Sequence, residues 1–219
     1  MSRFADSGTL YFFFDYISHN AYLAWTQLPA LARKYGLTIE PVPVLFAGLL
    51  SHYKQVGPAE VPAKSRWMLW NVLRKAKALN IPLAPPHSHP FNPLAPLRAT
   101  CCEMSGAERL ILVDKLFRAT WAESQPVSEA ATVARLAGEA VVVESQTESV
   151  KTKLRANTDD ALQAGVFGVP TMLVRGELFW GFDDLEYLEQ FLDGRDPLSA
   201  DRSTYQAWFQ IKPSASRKR

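Results

Sequence analysis

The stretch FFFDYISHNAYLAW, Phe12–Trp25, decides how this chain folds. An apolar run stops at Asp15, and Ser18-His19-Asn20-Ala21 follow, four small or polar residues. Tyr22, Leu23 and Trp25 then resume an apolar pattern at helical spacing. A buried strand therefore runs through a short loop into a helix. A serine at such a junction has three possible roles. It caps the helix, attacks a substrate, or holds an anion.

Working outward, Thr9–Tyr16 is rich in aromatics and continuously apolar, the pattern of a strand buried on both faces. From Asn20 to Tyr35 the apolar residues recur at helical spacing until Gly36 ends the run. Leu37–Leu45 reads as a second strand, whose prolines place part of it at an edge or a strand end. This β-α-β opening predicts two parallel strands with a right-handed crossover.

A helical middle follows, with candidates at Ala63–Leu79, Leu94–Met104, Ala107–Glu123, Ser128–Ala137 and Ser149–Ala164. In the first of these the apolar positions are Trp67, Met68, Leu69, Val72, Leu73 and Ala76. The Pro-rich Ile81–Pro96 is an extended connector. Val169–Phe182 holds two short apolar runs around Arg175-Gly176, a tight hairpin, and Asp183–Leu192 reads as a capped helix. A β-α-β unit followed by a β-β-α unit is the layout of a thioredoxin-like domain, an α/β fold with a large all-helical insertion. The expected boundaries are 8–46 and 165–194 for the thioredoxin-like domain, 47–164 for the insertion and 195–219 for a C-terminal extension.

The bulk numbers fit one large globular unit. The chain has 219 residues, of which 47% are hydrophobic and 21% charged, with a net charge of +2. So small a charge gives no argument for nucleic acid or a membrane surface. No basic, apolar and small-residue leader opens the chain, and no run reaches the roughly 20 apolar residues that span a bilayer. The expectation is a soluble, cytoplasmic protein whose basic end, SASRKR, is a solvated tail. The two cysteines, Cys101 and Cys102, are neighbours and read as small buried hydrophobes, not as a redox pair. His87 and His89 lack acids or cysteines at metal-binding spacing and read as part of a solvated loop, so no metal is expected.

The second unusual word is GVFGVPTMLV, Gly165–Val174, where Pro170 immediately precedes a strand. X–Pro bonds are cis in only about 5–6% of cases, but a place before a central strand raises the odds. A cis bond there would expose the backbone of Val169 to pair with a peptide-like ligand. The alternative is a plain turn into the strand.

Four stretches together resemble the 2-hydroxychromene-2-carboxylate isomerase family, which is grouped with disulfide-bond oxidoreductases and kappa-class glutathione transferases. They are YFFFDYISHNAYLAW (Tyr11–Trp25), GPAEVPAKSRWMLWNVLRKAKALNIPL (Gly57–Leu83), HPFNPLAPLRA (His89–Ala99) and GVFGVPTMLVRGELFWGFDDLEYL (Gly165–Leu188). The resemblance implies that glutathione is the cofactor, that the substrate is a small aromatic 2-oxo acid, and that the protein is a homodimer. Ser18 takes the place of the active serine and would donate a hydrogen bond to the glutathione sulfur. Val169, before Pro170, would pair with the cysteinyl unit, and Phe182 and Asp183 would hold the γ-glutamyl end. Asp183 also stands at a helix start, where it would serve as an N-cap. Gln55 falls where kappa transferases commonly carry an asparagine, and His19 where many members carry proline. His19 and Asn20 are candidate glutathione contacts beside Ser18. Lys64, Trp67, Phe91 and Asn92 are candidate substrate contacts, although helical spacing also suits Trp67 to core packing.

The chemistry of Ser18 stands apart from the resemblance. A free thiol of pKa near 8.5 is only a few per cent thiolate at neutral pH. A hydrogen bond to a charged partner contributes about 1.5–3 kcal/mol, so one donor lowers a thiol pKa by about one to two units. The helix N-terminus adds about 0.3–1 kcal/mol. No base is evidently placed to deprotonate Ser18, so it is cast as a thiolate stabiliser. The reaction implied is addition of that thiolate to a conjugated carbon, rotation about the bond made single, and elimination. A kappa-type transferase or peroxidase, or a binding module without activity, would use the same residues differently. A dithiol oxidoreductase is nearly excluded, because Ser18-His19-Asn20-Ala21 contains no sulfur.

Overall fold

The computed structural model describes residues 3–198 and 205–215. Of the basic end SASRKR, all but Ser214 and Ala215 lies outside the described residues. The elements run β1 (Thr9–Phe14), α1 (His19–Tyr35), β2 (Thr38–Pro43), α2 (Phe46–His52), a short 3-10 turn (Pro58–Glu60), α3 (Pro62–Ala78), α4 (Leu94–Cys101) and α5 (Gly106–Trp121). They continue through α6 (Ala130–Ala137), α7 (Glu139–Ser145), α8 (Glu148–Gln163), β3 (Thr171–Val174), β4 (Glu177–Trp180), α9 (Leu185–Leu192) and α10 (Gln206–Phe209). The sheet order is β2-β1-β3-β4, with β1 parallel to β2 and antiparallel to β3, and β3 antiparallel to β4. This is the β-α-β and β-β-α arrangement of a thioredoxin-like fold, with α2 to α8 between its halves.

β1 is central, and all six of its residues are buried. Alternation sends Leu10, Phe12 and Phe14 to one face, against α1 and α5, and Tyr11 and Phe13 to the other, against Phe4, Val42, Leu49, Ala161 and Leu173. On the first face Phe117 of α5 meets Tyr16, Phe14 and Phe12 at ring-centroid distances of 4.7, 5.4 and 6.5 Å. A helix from the middle of the chain thus forms one wall of the sheet's own core. Burying each such aromatic contributes about 1.5–3 kcal/mol.

β1 ends at Phe14, two residues short of the expected strand end at Tyr16. The Asp15 side chain folds back onto the Ile17 N–H and stops the ladder. Pro41 and Pro43 lie on β2, which is an edge strand, where missing N–H donors cost the sheet least. The hairpin turn at Arg175-Gly176 has φ of 51° and 83°, the doubly left-handed turn that matches strand twist.

Helices α2 and α7 have no counterpart in the sequence reading. Each is seven residues long without a side-chain cap, too short for periodicity to show. In α3 only Val72 and Ala76 are buried, while Trp67, Leu69, Trp70 and Leu73 stand 50–60% exposed. Core packing of Trp67 is therefore not what the structure shows. Cys101 and Cys102 are buried and free, and burial pushes their thiols up to about 11 and about 12.

Candidate active site

The loop between β1 and α1 is held from all sides. Asp15 is buried; its Oδ1 accepts from the Ile17 N–H and its Oδ2 from the Phe46 N–H, both at 3.1 Å. Burial pushes this carboxyl up to about 7 against the pull of those two bonds. The Asp15 carbonyl accepts from the Ser18 N–H at 3.0 Å. The Tyr16 carbonyl accepts from Trp121 Nε1 at 2.9 Å, and the Ile17 carbonyl from His89 Nε2 at 3.1 Å. Groups from α5 and the Pro-rich connector thus fix the backbone that presents Ser18.

Ser18 is the N-cap of α1, with extended backbone, and its Oγ accepts from the Ala21 N–H at 3.2 Å. The hydroxyl donates to the Val169 carbonyl at 3.4 Å. Its proton is thus directed to an amide carbonyl, not to an imidazole or carboxylate, which leaves Ser18 without an activating base. No acid stands in the first turn of α1, so the helix end keeps its positive character.

The Val169–Pro170 peptide is cis. The Pro170 carbonyl accepts from the Gly181 N–H at 2.8 Å, and Thr171 Oγ1 donates to the Gly168 carbonyl at 2.8 Å. A Cβ at Gly168 would stand 2.5 Å from Trp180 Nε1, so only glycine lets the β4 indole close over this loop. The loop is fixed by β3 and β4 on one side and touches Ser18 on the other.

His19 is buried, its ring edge-on to Trp121 at 5.7 Å and tilted against His89 at 6.3 Å. Burial first, then the charges of His89 and Lys75, push its pKa down to about 4. Neither His19 Nδ1 nor Asn20 Oδ1 makes a hydrogen bond of normal geometry, although the Asn20 side chain stands close enough to oppose the His19 shift slightly. His89 is not merely a solvated loop residue, since it bonds the Ile17 carbonyl and packs on Trp121 at 5.6 Å. The His89–Pro90 peptide is also cis. Among the described residues no three His, Cys, Asp or Glu side chains form a metal-binding group.

At the other end of the site, Asp183 is bound by Lys75 of α3, whose Nζ reaches both carboxylate oxygens at 2.8 Å. The Lys75 ammonium also lies over the Phe182 ring, 5.2 Å from its centroid. The N-cap position of α9 belongs to Asp184, and that carboxylate accepts from the Trp180 N–H instead of capping the helix. Asp183 is therefore not a cap.

Ser18, Val169 and Pro170 come together directly, His19 and Asn20 follow on the same turn, and Phe182 and Asp183 join through Lys75. Gln55, Lys64 and Trp67 are exposed, on the α2–α3 connection and on α3. Phe91 packs against the main core, and Asn92 Oδ1 accepts from the Leu94 N–H at the start of α4. Three residues of the site escaped the sequence reading: Asp15, Lys75 and Trp121. A lone acid ending an apolar run was the only visible signal, and it belonged to Asp15.

The fold and this site define a thioredoxin-like protein with a serine capping its first helix beside a cis-proline loop. The chain belongs to the DSBA-like thioredoxin domain family, matched over residues 9–193, and within it to the 2-hydroxychromene-2-carboxylate isomerase family. It is 30% identical to 2-hydroxychromene-2-carboxylate isomerase of Pseudomonas sp. (strain C18) over 84% of this chain and 89% of that one. It is 26% identical to glutathione S-transferase kappa 2 of Caenorhabditis elegans over 83% of this chain and 90% of that one. The solved structure of a 2-hydroxychromene-2-carboxylate isomerase superposes with a TM-score of 0.77 at 26% identity, covering 93% of this chain and all of that one.

Proposed function

We propose that the protein is a glutathione-dependent cis-trans isomerase of 2-hydroxychromene-2-carboxylate or a related aromatic 2-oxo acid. The observation that carries this reading is Ser18, a hydroxyl without a base, set at a helix N-terminus against the carbonyl before a cis proline. Such a hydroxyl is suited to donate to a sulfur anion and unsuited to attack. The residues fit a tripeptide thiol. The Val169 backbone faces the same hydroxyl, and Asp183 offers a carboxylate for a cationic amino group. When bound, glutathione supplies a sulfur nucleophile that adds reversibly to a conjugated carbon and is regenerated.

The chain's own residues then have separate tasks. Ser18 turns its donor from the Val169 carbonyl to the sulfur, which frees that carbonyl to accept from the ligand's backbone. The first turn of α1 adds its positive end. Phe182 and Asp183 hold the γ-glutamyl end, with His19 and Asn20 beside the sulfur. Lys64, Trp67, Phe91 and Asn92 remain the candidates for the aromatic acid, with Gln55 on the glutathione side. The homodimer implied by the resemblance would cover part of the exposed apolar face of α3. No described helix is long and apolar enough to cross a membrane.

The test is to follow conversion of 2-hydroxychromene-2-carboxylate by absorbance, with and without glutathione, while counting free thiol. Conversion that requires glutathione and leaves its amount unchanged supports the isomerase. A kappa-type transferase would consume glutathione as conjugate. A binding module would bind it without turnover.

A further inference from the structure

We propose that Lys75 is a specificity residue that reads the carboxylate of an α-amino-acid head group, so that Lys75 and Asp183 together recognise a zwitterion. The proposal rests on the reading that a γ-glutamyl thiol binds here. Asp183 and Phe182 belong to that reading already; Lys75 does not. It comes from α3, 108 residues away in sequence, and its side chain is 15% exposed while that of Asp183 is 75% exposed. The ammonium is thus seated in the wall of the site, over the Phe182 ring at 5.2 Å, and the carboxylate stands at its open rim.

That asymmetry has a consequence. A surface ion pair contributes little, because both groups are well solvated when apart. A mostly buried ammonium with one exposed partner is different, because little water can replace that partner when it swings away. An arriving head group carries an ammonium and a carboxylate on one carbon. Its ammonium meets Asp183 and its carboxylate meets Lys75, so one ion pair is exchanged for two. A ligand with only the ammonium would take Asp183 and leave Lys75 unpaired, which costs binding. A ligand with only the carboxylate would compete with Asp183 for Lys75 and leave the aspartate without a partner. Lys75 also lies close enough to His19 to help keep that imidazole neutral.

Three peptides separate these cases: glutathione, γ-aminobutyrylcysteinylglycine, which lacks the α-carboxylate, and glutarylcysteinylglycine, which lacks the α-amino group. Calorimetric titration of each into the wild-type protein, Lys75→Gln and Lys75→Arg tests the assignment, with thermal melts confirming that both variants fold. The wild type is expected to prefer glutathione over the γ-aminobutyryl peptide by roughly tenfold or more. Lys75→Gln brings that ratio to about one by weakening glutathione alone, and Lys75→Arg keeps most of it. A ratio unchanged in Lys75→Gln overturns the role of Lys75 while the glutathione reading stands. Absence of binding of all three peptides to the wild type overturns the glutathione reading itself, and this proposal with it.

Discussion

The two ends of the proposed glutathione site, called here the sulfur end and the head-group end, are built in opposite ways. At the sulfur end, the backbone of 15–18 is bonded by a buried carboxylate, an indole and an imidazole, and the rings of His19, His89 and Trp121 close around it. At the head-group end, one ion pair spans two elements over a half-open ring. The first end is rigid and expensive to disturb. The second exchanges partners at little cost. This division suits the proposed function, in which one hydroxyl is held in place while a charged ligand is admitted. A misplaced donor loses its effect on a sulfur, whereas a head group only needs complementary charge within reach.

The largest effect that would break this contrast is at Trp121. Trp121→Ala removes the Tyr16 carbonyl's donor and the surface beneath His19, and is expected to cost about 3–5 kcal/mol in chemical denaturation. Trp121→Phe, which keeps an aromatic ring but no N–H, should cost only about 1–2 kcal/mol. Equal losses in the two variants would show that the bond to the loop carries the whole effect, and no loss in Trp121→Phe would show that packing alone matters.

A smaller effect is the pH response of the sulfur end. The Asp15 carboxyl is raised from 3.8 to about 7, so the folded state holds this proton more tightly than the unfolded chain. Its stabilisation is full below about pH 4 and is lost as pH rises to about 7. His19 runs the other way, lowered from 6.5 to about 4, so its contribution is present above pH 6.5 and lost as pH falls to about 4. Between these limits the two slopes offset one another. Asp15→Asn removes one of them. Its stability relative to wild type should rise by roughly 2–4 kcal/mol from pH 4 to pH 7, read from denaturation midpoints across that range. A flat difference would mean that Asp15 does not titrate in the fold.

The smallest stability effect belongs to the head-group end. Asp183→Asn should change stability by no more than about 0.5 kcal/mol, since the carboxylate is 75% exposed. The same substitution should weaken glutathione binding roughly tenfold. A large loss of stability would place Lys75–Asp183 among the structural contacts and erase the contrast.

The same contrast explains what the sequence disclosed. Ser18 and Val169-Pro170 were legible because each sits in a local pattern: a capping residue between an apolar run and a helix, and a proline ahead of a strand. The thioredoxin-like layout followed from the same periodicities and turns. Lys75 was invisible, because an ion pair across 108 residues leaves no trace in either segment. Trp121 looked like any apolar residue near a helix end, and its indole N–H found the loop only through the packing of α5 on β1. Asp183 was misread as a possible cap because both acids before α9 fit the pattern, and only the fold shows which backbone each one meets. The long apolar face of α3 misled for a related reason: helical spacing tells that a face exists, not that something covers it.

The most direct measurement is an ultraviolet titration of the thiolate of bound glutathione against pH, in the wild type and in Ser18→Ala. Ser18→Ala should lose about 1 kcal/mol of helix capping and still fold. A bound-thiol pKa about one to two units below the free value of roughly 8.5 in the wild type, returning toward it in Ser18→Ala, is the predicted result. The same pKa in both proteins, with glutathione bound to each, would contradict the account.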